Sequence, residues 1–145
     1  MLPKKQVGTA VILLNSKEEL LIVKPDYKEC WLVPGGTTNE KESPLKCALR
    51  ETKEEIGLDV SEIRLVGVYH HTKEGPYADF LKFIFYGGIL DENQISQIKL
   101  QTEELEEYIF KSLEEALPLL SPSLQKSIPA CLKAIRENSF AYLDA

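Results

Sequence analysis

Residues 36–58 read GTTNEKESPLKCALRETKEEIGL. Ser43 suits an N-cap, Pro44 the first helical position and Gly57 the position just past a helix end, so residues 43–57 are expected to be helical. At about 100° per residue, Leu45, Ala48, Leu49, Thr52 and Ile56 fall on one arc roughly 100° wide, enough to dock on a sheet. Lys46, Arg50 and Lys53 share a second arc. Glu51, Glu54 and Glu55, spaced i, i+3, i+4, share a third.

That third arc is costly. Like charges at this spacing repel by about 0.2–0.5 kcal/mol per pair. The macrodipole disfavours anions in the last turns by about 0.3–1 kcal/mol each. A solvated acidic face is the ordinary account of a run of glutamates, but here two penalties coincide and Arg50 reaches only Glu54 along the helix. A bound cation turns the repulsion into coordination, and hard carboxylate oxygens suit Mg²⁺ or Mn²⁺ far better than zinc.

The spacing narrows the reading. Gly36 is followed by five residues and Glu42, then by seven residues and Arg50-Glu51-Thr52-Lys53-Glu54-Glu55-Ile56-Gly57-Leu58. This resembles the Nudix box, G-x5-E-x7-R-E-U-x-E-E-x-G-U with U a bulky aliphatic. Every fixed residue matches, an event on the order of 10⁻⁹ per frame at background frequencies near 6% per residue. Thr52 departs from the aliphatic position. Its methyl can pack and its hydroxyl can bond back to the Ala48 carbonyl, so the change touches packing, not chemistry. The two strands ahead of the box, the approach from Trp31 to Gly36 and the later stretch 107–116 extend the resemblance over essentially the whole chain. It implies an α/β fold of the Nudix type, an α/β/α sandwich with a mixed sheet between helices, as a single domain over residues 1–145.

Nudix proteins typically hydrolyse the pyrophosphate linkage of a nucleoside diphosphate joined to another moiety, by attack of water on phosphorus. By resemblance, Glu51, Glu54 and Glu55 are metal ligands for Mg²⁺ (or Mn²⁺), and one of them, or a later glutamate, is the general base. Arg50 would hold a neighbouring carboxylate in register. Gly35 contributes a carbonyl ligand on the same grounds, and Gly36 lets the backbone approach the phosphates, although a plain turn needs the same two glycines. Glu42, just before the cap, reads as loop-ordering first and metal-associated second. A further acid is expected from residues 102–107, Glu104 ahead of Glu103, although such clusters are usually solvated. Tyr27 and Trp31 are candidates to stack a base or to fill core. His70 and His71 alternate on a strand, so only one can face a cleft, and a structural role suits either.

Elsewhere, residues 7–14 and 20–23 read as a hairpin, 31–33 as a short buried strand, and 63–71 and 77–90 as an antiparallel pair joined across residues 73–76. The second of that pair is too apolar for an edge. Ser112 caps a short helix, and Ser121-Pro122 starts another, which Pro129 should kink or split.

Composition sets limits. The 145 residues carry 17 basic and 23 acidic side chains, a net charge of -6, which lacks the electrostatic footprint of a nucleic-acid or anionic-membrane binder. The start mimics a signal peptide in placing Lys4 and Lys5 before an apolar run, but no small-residue cleavage site follows and a first strand is the better reading. No segment has the roughly 18 apolar residues of a membrane span. Cys30, Cys47 and Cys131 form no C-x-x-C, so reduced thiols and a cytoplasmic location are expected. The expected partner is a small-molecule nucleotide, with no stable nucleic-acid complex and, by resemblance, a homodimer to consider. The alternative is a catalytically silent nucleotide-binding or regulatory module on the same fold. Within the enzyme class the substrate stays open: Pro76 and Tyr77 only nearly match the markers of ADP-ribose and dinucleoside polyphosphate subgroups.

Overall fold

The computed structural model describes residues 2–72 and 79–144. The residues 73–76 expected to join two strands, with Pro76 and Tyr77, lie outside them. Six strands form one mixed sheet: β1 (Gln6–Leu14), β2 (Leu20–Pro25), β3 (Arg64–Thr72), β4 (Asp79–Ile89), β5 (Leu105–Lys111) and β6 (Ala141–Asp144). Their order is β5-β2-β1-β4-β3-β6. β1 pairs parallel with β4, and β3 parallel with β6; the other pairs are antiparallel.

The alternation of side chains along a strand explains why β1 and β2 are apolar throughout. Ala10, Ile12, Leu14, Leu20 and Ile22 point to one face, where they meet Ala116, Leu124, Ile128 and Cys131. Val11, Leu13, Leu21 and Val23 point to the other, where they meet Ala48 and Ile56. The first face is covered by α3 (Leu113–Ala116) and α4 (Pro122–Arg136), the second by α1 (Pro44–Ile56). This is the expected α/β/α sandwich, with apolar β4 between β1 and β3.

Several local expectations need correction. Cys47, Ala48, Thr52 and Ile56 are the buried residues of α1. Leu45 is exposed, so the docking face is turned toward Cys47. Residues 31–33 make isolated bridges rather than a strand: Leu32 pairs with Val23 and Trp31 with Leu120. β5 runs through what reads as an acidic loop; an edge strand tolerates outward Glu106 and Glu107. α2 (Glu92–Ser96) and β6 are additional elements. Pro129 lies inside α4 without splitting it. A proline removes only one ladder bond, and Ile128, Cys131 and Leu132 anchor this helix in the core.

Candidate active site

β1 and β2 are paired only at Leu14 and Leu20. Beyond that point they diverge, and the segment around residues 32–38 threads between them. Leu32 exchanges both backbone bonds with Val23, while Thr9 and Val11 donate N–H bonds to the Gly36 and Pro34 carbonyls at 2.8 and 2.7 Å. Thr9 does more than complete a ladder. Its hydroxyl lies 3.2 Å from the Gly36 carbonyl, to which it donates, and 3.3 Å from the Gly36 N–H, from which it accepts. A buried threonine inside an apolar strand thus grips both backbone groups of the first box residue. The hydroxyl between Gly8 and Ala10 was the sequence's only hint.

Contact requires a glycine at position 35, and the glycine at position 36 leaves room for a side chain. Gly35 has φ +152, and a Cβ there would sit 2.1 Å from the Thr9 carbonyl oxygen. A Cβ on Gly36 would sit 2.5 Å from the Glu51 carboxyl carbon. The box glycine therefore clears the space that the Glu51 carboxyl group occupies.

Ser43 caps α1 by accepting from the Lys46 N–H, and Gly57 closes it in the left-handed conformation. Arg50 organises the acids. Its Nε and Nη2 donate to the two oxygens of Glu42 at 2.8 and 2.9 Å, and its Nη1 donates to Glu51 at 3.0 Å and Glu54 at 3.1 Å. The helical wheel offered Arg50 only Glu54; the loop before the cap folds back and supplies Glu42. Glu42 also accepts from the Asn39 N–H, which fits its loop-ordering role. The Arg50 hydrogen bonds, seconded by the Asn39 N–H, hold the Glu42 carboxyl down at about 2.

Glu55 has the opposite environment. Burial pushes its carboxyl well above the usual range, against the opposing bond from the Gly35 N–H, and the Glu51 and Glu104 carboxylates raise it further. Glu104 thereby acts electrostatically on Glu55, although it is as exposed as Glu103. Tyr27 belongs to the same field: partial desolvation of its hydroxyl, then Glu104 and Glu55, raise its pKa, although the residue is 68% exposed. Glu54 stands apart, exposed and turned to Arg50. Among the described residues no three His, Cys, Asp or Glu side chains already form a cage for a cation. The donors nevertheless suit a hard cation. A half-buried carboxyl whose proton affinity is raised by a second and third acid gains most when positive charge replaces the proton.

A cleft of about 640 Å³ adjoins this cluster, and Tyr27, Gly35, Gly36 and Thr37 line it. It extends over β3 and β4 to the start of α4, with Tyr69, His71, Phe80, Lys82 and residues 121–124 among its walls. Trp31 does not line it and packs against the core instead. His71 faces the cleft, while His70 lies between Asp79 and Asp144 near the sheet edge. The cysteines are all free. Cys47 lies 3.6 Å from the Gly36 carbonyl, Cys30 lines the cleft and Cys131 is in the core.

Comparison with known proteins bears on the family and the fold. The NUDIX domain model matches residues 4–131. The 8-oxo-dGDP phosphatase NUDT18 of Danio rerio is 33% identical over 135 residues, covering 89% of this chain and 39% of that protein. An RNA pyrophosphohydrolase of Hydrogenovibrio crunogenus is 37% identical over 60 residues, 41% of this chain and 36% of that protein. The chain thus spans less than half the length of these curated relatives. Among solved structures, the MutT protein of Methanosarcina mazei Go1 superposes with a TM-score of 0.70 at 25% identity, covering 95% of this chain and 99% of that one. With the glutamate cluster, the glycine lip and the sandwich all in place, the chain belongs to the Nudix family.

Proposed function

We propose that this chain hydrolyses the pyrophosphate linkage of a small nucleotide, with Mg²⁺ (or Mn²⁺) bound by Glu51, Glu55, Glu104 and the Gly35 carbonyl, and by Glu54 once it leaves Arg50. The observation that carries the reading is half-buried Glu55, bonded by the Gly35 N–H at 3.3 Å at the glycine lip of an open cleft, with the charges of Glu51 and Glu104 acting on its carboxyl. When bound, the cation neutralises phosphate charge and acidifies water. Arg50 holds Glu51 while anchoring itself on Glu42. One of these cation-binding glutamates would receive the proton of the attacking water. Thr9 fixes the lip against which the phosphates would rest, and Tyr27 lines the mouth. A related activity is named for the relatives, an 8-oxo-dGDP phosphatase and an RNA pyrophosphohydrolase. A cytoplasmic location accords with the free cysteines, and no described helix is long and apolar enough to cross a membrane.

The test is a panel of nucleoside di- and triphosphates, sugar diphosphates, ADP-ribose and dinucleoside polyphosphates with Mg²⁺, with product masses identified. Turnover of at least one, lowered by orders of magnitude in Glu55→Gln while the protein stays folded, is the expected result. Tight binding of nucleotides with no product would instead make the chain a silent binding module.

A further inference from the structure

The turn that carries Glu104 is held by a single side chain. Residues 98–105 lead from α2 to β5 past the C-terminal end of α1. A helix leaves its last carbonyls without partners of its own, and here two of them are met from outside: the Lys99 and Gln101 N–H groups donate to the Ile56 and Glu55 carbonyls, each at 2.9 Å. Gln101 then reverses the chain. Its carbonyl accepts the Leu105 N–H at 3.1 Å, and its side-chain Oε1 accepts the Glu104 N–H at 2.9 Å. Leu100 and Leu105, on either side of the turn, pack into the core layer that α1 covers. The Glu104 carbonyl accepts the Asp26 N–H at 2.9 Å, so both backbone groups of this acid are bonded.

The backbone bond between Gln101 and Leu105 closes the turn by itself. The side-chain bond adds a hold on Glu104 in particular. Glu104 is exposed, so the turn places it and packing does not. Gln101 meanwhile sits on the Glu55 carbonyl through its own N–H, which makes it the link between the backbones of two acids that come from different elements. On the reading of Glu55 and Glu104 as ligands of one divalent cation, we propose that Gln101 is a positioning residue for that site: its side-chain amide holds Glu104 in register with Glu55 and so sets the affinity for the ion. Gln101 acts through Glu104. Ligands ordered before the ion arrives lose less freedom when it binds, and partners behind the ligands tune metal affinity for that reason.

The test uses Gln101→Met, which keeps the length of the side chain and loses the acceptor, together with Glu104→Gln, Glu55→Gln and the Gln101→Met/Glu104→Gln double variant. Mn²⁺ binding to each full chain without nucleotide is read from the paramagnetic resonance signal of the free ion. The Mg²⁺ concentration for half-maximal turnover is read on a nucleotide that the wild type hydrolyses. Gln101→Met should weaken Mn²⁺ binding by about fivefold, the return of one hydrogen bond, and raise the Mg²⁺ requirement to match. It should leave kcat at saturating Mg²⁺ and the melting temperature in EDTA near their wild-type values. Gln101→Ala, with no long side chain to mispack, should give the same loss. In the Glu104→Gln background the change should do almost nothing, because the two residues act as one unit.

The same loss in both backgrounds, or no loss from Gln101→Met where Glu104→Gln weakens binding, would overturn the inference and leave the cation site standing. Binding that survives Glu104→Gln but not Glu55→Gln would take Glu104 out of the site and overturn the inference as well. No Mn²⁺ bound by the wild type at millimolar concentration would overturn the reading of the site itself, and the role of Gln101 with it.

Discussion

Gly36 and Glu51 occupy adjoining space: a methyl group on the glycine would lie 2.5 Å from the glutamate's carboxyl carbon. The atom in the way is the far end of a flexible side chain, so the fold can yield at little cost by swinging Glu51 aside. Gly36→Ala should therefore keep a melting temperature near that of the wild type while displacing one carboxylate by an ångström or more. Misplacement on that scale costs roughly 10²-fold in rate. Calorimetry and steady-state kinetics on the same preparation check this. Unchanged turnover would show that Glu51 does not depend on the glycine for its position.

Much of this was legible because the box is local. Its spacing fixed a helix, both caps and the acidic arc, and even the Thr52 hydroxyl bonds the Ala48 carbonyl as expected, at 2.8 Å. What escaped depends on distant partners. Arg50 meets Glu42 because a loop folds back, Thr9 meets Gly36 across 27 positions of sequence, and β6 exists because β3 offers it an edge. The Asp91 and Gln94 capping box of α2 is a local signal of the same kind as the Ser43 cap. The cleft lies farthest from the sequence, since β3, β4 and α4 each supply residues that look like ordinary core or surface.

Thr52 itself provides a test of that local reading. The residue is buried, and valine has nearly its shape without the hydroxyl that bonds back to Ala48. Back-bonding of this kind slightly disfavours a helix, and removing it leaves the Ala48 carbonyl its place in the helical ladder. Thr52→Val should change stability by no more than about 1 kcal/mol, in either direction, and leave kcat unchanged. A large loss of stability in urea melts would give the hydroxyl a structural task beyond Ala48.

The Arg50–Glu42 clamp predicts a pH window. The Glu42 carboxyl is held at about 2, below its ordinary 4.5. A lowered folded-state pKa contributes stability above the unfolded value and loses it as pH falls through the folded one. The difference in melting temperature between the wild type and Glu42→Gln should thus be full above about pH 5, largely survive at pH 4, shrink steadily below it and vanish below about pH 2. Loss of that difference already between pH 5 and 4 would mean that Arg50 does not hold the carboxylate as described.

Glu55 gives the reverse slope. Its carboxyl is raised, by burial first and by Glu51 and Glu104 besides, so in the metal-free protein its proton favours the folded state. That contribution is fully present below the unfolded carboxylate range and is lost as pH rises through the folded value. In EDTA, the wild type should lose melting temperature relative to Glu55→Gln between pH 5 and 9, because glutamine keeps an uncharged acceptor for the Gly35 N–H. Millimolar Mg²⁺ should raise the wild-type melting temperature most at the alkaline end, where no proton competes for the carboxylate, and should do little for the variant. Parallel curves for the two proteins, with and without Mg²⁺, would remove Glu55 from any cation site and take the proposed chemistry with it.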